Sequence, residues 1–476
     1  VDSERFAEHL GAPFGRGAAP ADAYDGAAGG AACGDLIRIS LRVAGERVAA
    51  ASFDAEGCGA LTAAGSATIT LVDGETIFAA AHVGTREIAA ELGGLSPGKL
   101  HAADLAADAL HRALGAAAAA RAQARFEPGR TLVAMSGGVD SAVAALLVDR
   151  AGRKAVAVTL ELWSDDASGA EASCCSAQAV RLARSVAQRM GLPHFTLDLR
   201  APFRAGVVEP FLAGHAAGET PNPCVGCNGH VRLDAMLDFA ARLGAAELAT
   251  GHYARVTDDG LLRAAVDAAK DQTYMLAALA PASLARLRFP LGELTKPQVR
   301  ALAREAELPV ASRADSQDLC FLAGVGKAAF LARHGGLGDR PGEIVDAAGS
   351  VVGAHAGAHH FTVGQRRGLG VAAGEPLYVL RTEPRANRVV VGPHEALATR
   401  RVRVRGARLH RPGSEVDAVK LRYRTRPVPC RVAAGGERGG ALELELAEPF
   451  YGVAPGQSAC LLRGDVIVGW ATIART

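Results

Sequence analysis

Aromatic side chains are scarce, 5% of the 476 residues, with only two tryptophans. Long apolar runs are missing too. None nears the ~18 residues of a membrane span, and the alanine stretch Ala116–Ala120 runs into Arg121. The opening Val1-Asp2-Ser3-Glu4-Arg5 has no basic segment leading into an apolar one, so no signal peptide and no membrane partner are expected, and a cytoplasmic location is. A dominant charge is also absent. Lys plus Arg number 52 against 50 for Asp plus Glu, a net of +2, which excludes a chain that is polybasic throughout. The nine cysteines are odd in number and too sparse for a disulfide scaffold; several are closely spaced, which favours metal or redox chemistry. What is present is a 49% hydrophobic, 21% charged composition. That excludes global disorder and supplies a core for about three or four domains at roughly 100–200 residues each.

Four blocks follow from the patterning. Residues 1–117 hold alternating strand-like segments such as Leu36–Val43, then a helical pattern over Leu105–Leu114. Residues 118–129 are rich in Ala, Arg, Gly and Pro and suggest a linker. Residues 130–325 alternate strands (Thr131–Met135, Ala155–Leu160, His194–Leu199, Glu247–Thr250) with helices (Ala177–Met190, Val231–Leu243), the rhythm of a parallel sheet covered by helices. Residues 326–397 are Gly-rich with short strands, and 398–476 read as all-β. Charge is uneven. Residues 1–117 carry 8 Lys/Arg and 15 Asp/Glu, whereas 400–476 carry 14 and 7. Arg401, Arg403, Arg405 and Arg422, Arg424, Arg426 alternate, as on a strand face turned to phosphates or simply to solvent.

Ser136-Gly137-Gly138-Val139-Asp140-Ser141 sits between the first strand of the α/β block and a helix. Paired glycines let backbone approach a ligand, and the N–H groups that open a helix attract an anion. Ser136 and Ser141 add hydroxyl donors, and Asp140 is a hard oxygen ligand suited to Mg²⁺ beside phosphate. No Gly-Lys-Ser/Thr follows, so this is not a Walker loop. The hexapeptide resembles the PP-loop of ATP pyrophosphatases. That resemblance implies ATP cleavage to AMP and pyrophosphate, without choosing between amide-forming and tRNA-thiolating members.

Pro221-Asn222-Pro223-Cys224-Val225-Gly226-Cys227-Asn228 places a CxxC ahead of a helix, and Cys320 lies far downstream in the same block. Three thiols suit a redox pair with a spare or a cluster with an open site, and fall one short of a closed zinc site. A zinc ribbon or inert buried thiols is the plainer alternative. Cys174 and Cys175 are adjacent, a strained arrangement for pairing, and are taken as loop or core residues. Cys430 and Cys460 are expected to pack.

Taken with Thr250-Gly251-His252-Tyr253-Ala254, Lys270-Asp271-Gln272-Thr273-Tyr274 and Gly357–Gly370, which includes Gly364-Gln365-Arg366-Arg367-Gly368, residues 130–476 resemble the tRNA-specific 2-thiouridylases (MnmA-type). The resemblance implies a PP-loop domain, a small central domain and a C-terminal β-barrel. It also implies that ATP bound by Ser136, Gly137, Gly138, Val139, Asp140, Ser141 and Gly251 adenylates O2 of the wobble uridine. Cys320 would then carry sulfur as a persulfide and Cys227 would resolve it, leaving a Cys227–Cys320 disulfide. Gln272 matches the position that reads the uridine, and Arg366 and Arg367 are candidates for tRNA contact. His252 is as readily structural as a nucleotide or tRNA contact. Many members carry Asp where this chain has Cys224, which opens an alternative in which Cys224, Cys227 and Cys320 hold an iron–sulfur cluster.

Residues 1–117 resemble the N-terminal domain of IscU/NifU-type iron–sulfur scaffolds, an α+β fold, through Cys33-Gly34-Asp35, Phe53–Gly59 with Cys58, and Lys99-Leu100-His101. Cys33, Asp35, Cys58 and His101 then form a ligand set for zinc or a labile Fe–S cluster. The family's third cysteine, directly after the histidine, is Ala102 here. A domain kept only for interaction is the plainer alternative. The expected whole is an ATP- and Mg²⁺-dependent tRNA sulfurtransferase, supplied by a cysteine desulfurase or sulfur-relay protein. A PP-loop amide ligase and an Fe–S carrier are the competing classes.

Overall fold

The protein is described from a computed structural model covering residues 3–30, 34–164, 177–314, 319–322, 324–435 and 440–475. Cys33, Cys174, Cys175 and the Asp315–Asp318 segment lie outside the described residues. The chain forms two compact units. The first comprises Val1–Ala201, Ala235–His252 and Arg286–Cys320, and the second Pro202–Asp234, Tyr253–Ala285 and Phe321–Thr476.

The first unit opens with a three-stranded antiparallel sheet of β1 (Tyr24–Gly29), β2 (Leu36–Ala44) and β3 (Arg47–Glu56) in that order. In β2 the alternation is broken only by buried Ser40. Ile37, Ile39, Leu41 and Val43 are buried while Arg38 and Arg42 face water. The helices Gly59–Val72 and Leu100–Arg121 cover the buried face. The second of these runs past the helical pattern of Leu105–Leu114 and into the segment read as a linker. The chain then enters β4 at Glu127, so little connecting chain is left. That stretch is pinned: Gln123 N–H donates to the Gly45 carbonyl (3.3 Å) and Ala124 N–H to that of Arg242 (2.9 Å).

A parallel sheet follows, of β4 (Glu127–Ala134), β5 (Lys154–Glu161), β6 (His194–Asp198), β7 (Ala245–Thr250) and a short strand Leu287–Arg288. Its order is Leu287–Arg288, β7, β4, β5, β6. Connections therefore diverge at β4, and the crevice beyond its carboxyl end is where such sheets bind ligands.

The Leu100–Arg121 helix packs both on β1 and on edge strand β6. It is made of small residues and is buried on nearly every side. A β-carbon on Gly26 of β1 would lie 2.1 Å from the Ala109 carbonyl oxygen. Polar groups lock the join. Buried Arg184 pairs with buried Asp108 and with Asp104 (2.7 Å). Arg112 reaches Glu161 (2.7 Å), and the N–H of His194 donates to the Ala81 carbonyl (3.0 Å). Phe78 meets Phe195 edge-on at 6.3 Å.

In the second unit, helical segments over 202–233 precede two β structures. The strands Gly342–Val345, Val351–His355, Tyr378–Glu383 and Arg388–Gly392 form a mixed four-stranded sheet. Six strands, Ala398–Leu409, Ala418–Lys420, Val428–Gly435, Leu442–Tyr451, Ser458–Arg463 and Val466–Ile473, close into a barrel through pairing of the first with the last. Closure removes the exposed edges. Val402, Val404, Val419, Leu444, Leu461 and Val468 fill its core. The two arginine series part company here. Arg401, Arg403 and Arg405 alternate with Val402 and Val404 on an exposed strand face, but Glu443 and Glu219 pair with them. Arg422, Arg424 and Arg426 lie in a turn rather than a strand, with the Arg422 guanidinium donating to the Gly452 carbonyl (3.1 Å).

Candidate nucleotide, thiol and metal sites

The expected phosphate loop leaves β4 at the point where the sheet order diverges, and Gly138 caps the helix Val139–Arg150. Of the two glycines only Gly137, at φ +71°, needs the left-handed backbone. Ser141 Oγ donates to the Gly138 carbonyl (3.0 Å) and accepts from the Ser136 N–H (3.1 Å). Its hydroxyl also lies 3.3 Å from Ser136 Oγ, so both serine hydroxyls face into the turn. Gly251 follows β7, and a β-carbon there would come 2.7 Å from Ser141 N. Its lack of a side chain lets β7 abut the loop backbone.

Two cations that sequence inspection missed converge on this loop. Lys296 Nζ lies 2.7 and 2.8 Å from the two carboxylate oxygens of Asp140. Arg313 Nη1 donates to the Gly137 carbonyl (2.9 Å). His252, after Gly251, meets Thr250 Oγ1 through Nδ1 at 2.8 Å.

In the second unit, Asn222 caps a short helix, Pro223–Gly226, accepting from the Cys224 N–H (3.1 Å). Cys224 is half-buried and Cys227 buried, and a π-helical turn Cys227–Arg232 follows before the regular helix resumes at Leu233. The helix read as starting at Val231 thus has an irregular entry that carries Cys227. Gln272 exchanges bonds with the backbone of Tyr253: its N–H donates to the Tyr253 carbonyl (2.9 Å) and its Oε1 accepts from the Tyr253 N–H (3.0 Å). Arg366 and Arg367 are exposed in a turn-rich loop. Cys320, half-buried, closes the first unit, and the next residue, Phe321, sits in a ring cluster with Phe203, Phe211 and Phe330. Cys430 and Cys460 pack as expected, and burial pushes the Cys430 thiol up to about 12.

Three of the four expected metal ligands meet. One ligand atom each from Asp35, Cys58 and His101 lies within 4.8 Å of the others, the one such group among the described residues. Cys58 Sγ is 3.4 Å and His101 Nε2 3.1 Å from Asp35 Oδ2. The edges of a tetrahedral zinc shell with 2.0–2.3 Å bonds are about 3.3–3.8 Å; the Cys58–Asp35 separation falls within that range and the His101–Asp35 separation just short of it, so a shift of a few tenths of an ångström would let these donors hold zinc. His101 Nδ1 faces the Gly98 carbonyl at 3.0 Å, which turns Nε2 toward the cluster. The Cys58 N–H donates to Asp35 Oδ1 (2.9 Å), and this bond, aided by His101, holds the Asp35 carboxyl below its usual range. Ala102 is buried and brings no ligand atom.

The fold and these sites define a PP-loop α/β protein with a β-barrel, preceded by an α+β scaffold-type domain. Residues 2–124 match the NifU-like N terminal domain, 129–324 the tRNA methyl transferase HUP domain, 328–393 the tRNA methyl transferase PRC-barrel domain, and 402–473 the aminomethyltransferase beta-barrel domain. A bifunctional protein NifU/MnmA of Rubrobacter xylanophilus is 45% identical over 99% of this chain and 98% of its own. The tRNA-specific 2-thiouridylases MnmA of Methylorubrum extorquens and Thermus thermophilus are 46% and 45% identical, each over 73% of this chain and 94% and 95% of their own. The chain belongs to the bifunctional NifU/MnmA family.

Proposed function

We propose that this chain is an ATP-dependent sulfurtransferase that makes 2-thiouridine at the wobble position of tRNA. The observation that carries the proposal is the anion-binding turn at the divergence of the sheet, in a chain that also presents a thiol pair at an Asn-capped helix start. ATP held by Ser136–Ser141 with Mg²⁺ presents its α-phosphate to uridine O2. Attack expels pyrophosphate and leaves C2 bearing an AMP leaving group. The terminal sulfur of a Cys320 persulfide attacks C2 and AMP departs. The Cys227 thiolate then attacks Sγ of Cys320, which forms the Cys227–Cys320 disulfide and frees the thiouridine sulfur. An external thiol reductant and a new persulfide sulfur, from a cysteine desulfurase or relay protein, complete the cycle. Gln272 and exposed Arg366 and Arg367 supply base and tRNA contacts, with the target base turned out of the anticodon stack. Asp35, Cys58 and His101, with Cys33, would hold zinc or a labile cluster in the scaffold-type domain, a sulfur or cluster station beside the enzyme.

A second route is favoured by one observation, the third thiol Cys224 at the head of the same turn. In it Cys224, Cys227 and Cys320 hold an Fe–S cluster that binds sulfide. Anaerobic purification with iron and sulfide analysis, followed by nucleoside mass spectrometry of tRNA, tests both. The persulfide route predicts thiolation without iron at these cysteines. A cluster lost in Cys224→Ala together with thiolation establishes the other route. An amide ligase would show full activity in Cys227→Ser.

A further inference from the structure

The second unit gathers basic groups for which the sulfur chemistry has no use. His215 lies on the helix Glu209–Ala216, Lys327 opens the helix Lys327–Gly335, and His359 and His360 belong to the turn Ala358–His360. Lys327 Nζ donates to the His360 carbonyl (3.3 Å), and the rings of His359 and His360 lie 4.1 Å apart. Burial, with the charges of Lys327, His359 and His360 nearby, lowers the pKa of His215 to about 3. Acid is almost missing from this cluster. Half-buried Lys327 forms no ion pair with a described residue. Among the described residues one carboxylate pairs with any of the four, Asp339, 4.0 Å from His360 Nε2, and its side chain is 84% exposed. His359 Nε2 is buried with no hydrogen-bond partner among the described residues.

A half-buried ammonium without a counter-ion is costly. It is more so in the first turn of a helix, where the dipole is positive. Gly326, which caps that helix, supplies no side-chain cap, so the helix N–H groups add donors of the same sense. The set is out of balance by one anion. We infer that Lys327, His215, His359 and His360 form a phosphate-group site, filled by a backbone phosphodiester of the tRNA. His360 precedes Arg366 by six residues in the same Gly-rich segment. Six residues span at most about 20 Å, so one RNA strand can meet both. The phosphate displaces exposed Asp339 from His360 and gives Lys327 a counter-charge. A contact of this kind adds affinity without choosing sequence. The inference rests on the reading of this chain as a tRNA-modifying enzyme.

Amine acylation of the full chain, read by peptide mass spectrometry, tests this on the wild type. Burial lowers the pKa of Lys327, which leaves its amine reactive. Unmodified tRNA should suppress acylation of Lys327, and inorganic phosphate alone should not. Lys327→Gln keeps a donor for the His360 carbonyl and removes the charge. It should weaken tRNA binding about tenfold at low salt, the loss expected for one charge-assisted bond, and lower the slope of log affinity on log salt by about one. It should also raise the urea midpoint, because the RNA-free chain sheds an unbalanced charge. Lys327→Arg should restore most of the tRNA affinity. Should Lys327→Gln fail to fold, protection of the wild type decides alone. Lys327 acylation unchanged by bound tRNA, or wild-type affinity and slope in Lys327→Gln, overturns the inference and leaves the proposed function intact. Protection by inorganic phosphate as complete as by tRNA makes free phosphate the occupant and overturns the RNA assignment. A wild-type chain that binds no tRNA overturns the proposed function as well.

Discussion

Gly115 of the helix Leu100–Arg121 lies so close to β6 that a β-carbon on it would come 1.7 Å from the carbonyl oxygen of Thr196. The scaffold-type domain is thus not a tethered module but a layer of the same compact unit as the PP-loop sheet. Replacing glycine by alanine inside a helix ordinarily stabilises it by about 1 kcal/mol. Here Gly115→Ala should instead destabilise by at least about 2 kcal/mol, because backbone must yield to admit the methyl. Urea unfolding of the full chain measures the sign. A stabilised variant would show that the two domains are not packed on each other.

Burial between these layers also sets a pH dependence. His111 has its two ring nitrogens near the carbonyls of His194 (2.7 Å) and Val83 (2.9 Å). Burial, with Arg184 nearby, lowers its pKa to about 3. The unfolded chain protonates this ring below about 6.5 and the folded chain does not, so stability is complete above that pH and falls as pH drops toward 3. Between pH 7 and 5, wild type should lose about 2 kcal/mol more than His111→Gln. Parallel losses in the two proteins would place the ring in water.

The metal proposal is separable from catalysis. Chains purified with zinc should retain about one ion, and Cys58→Ser or His101→Ala should lose it, as measured by elemental analysis. Retention in both variants would move the metal away from Asp35.

Charge on the Gly364–Gly370 loop should appear in the salt dependence of tRNA binding. The double variant Arg366→Ala, Arg367→Ala should weaken binding at every sequence tested and reduce the slope of log affinity on log salt by about one to two. An unchanged slope would exclude these arginines from phosphate contact.

Local signals carried much of the architecture. The glycines and strand–helix flanks of Ser136–Ser141 announce an anion-binding turn because every part of that device is contiguous, and β2 and β5 read directly from their apolar residues. Lys296 and Arg313 were illegible for the opposite reason. Each acts across more than 150 residues, 156 to Asp140 and 176 to Gly137, and neither sits in a motif. The helix Leu100–Arg121 was seen only over its Leu-bearing part. Alanine and glycine on all its faces erase the 3.6-residue period, and that smoothness is what lets two sheets approach it. Arg422, Arg424 and Arg426 mimicked a strand through spacing alone, whereas the turn at Arg422–Thr425 bends them out of any ladder. The metal ligands were legible one by one, but the bond from the Cys58 N–H that orients Asp35 was not.

Cys227 and Cys320 bear the central claim. In a single turnover with tRNA, ATP and a persulfide-charged enzyme, without added reductant, peptide mass spectrometry under non-reducing conditions should find a Cys227–Cys320 disulfide in step with 2-thiouridine. Cys227→Ser and Cys320→Ser should each lower thiolation by about a thousandfold while pyrophosphate release persists. Thiouridine formed at the wild-type rate without that disulfide, or by Cys320→Ser, would contradict the mechanism.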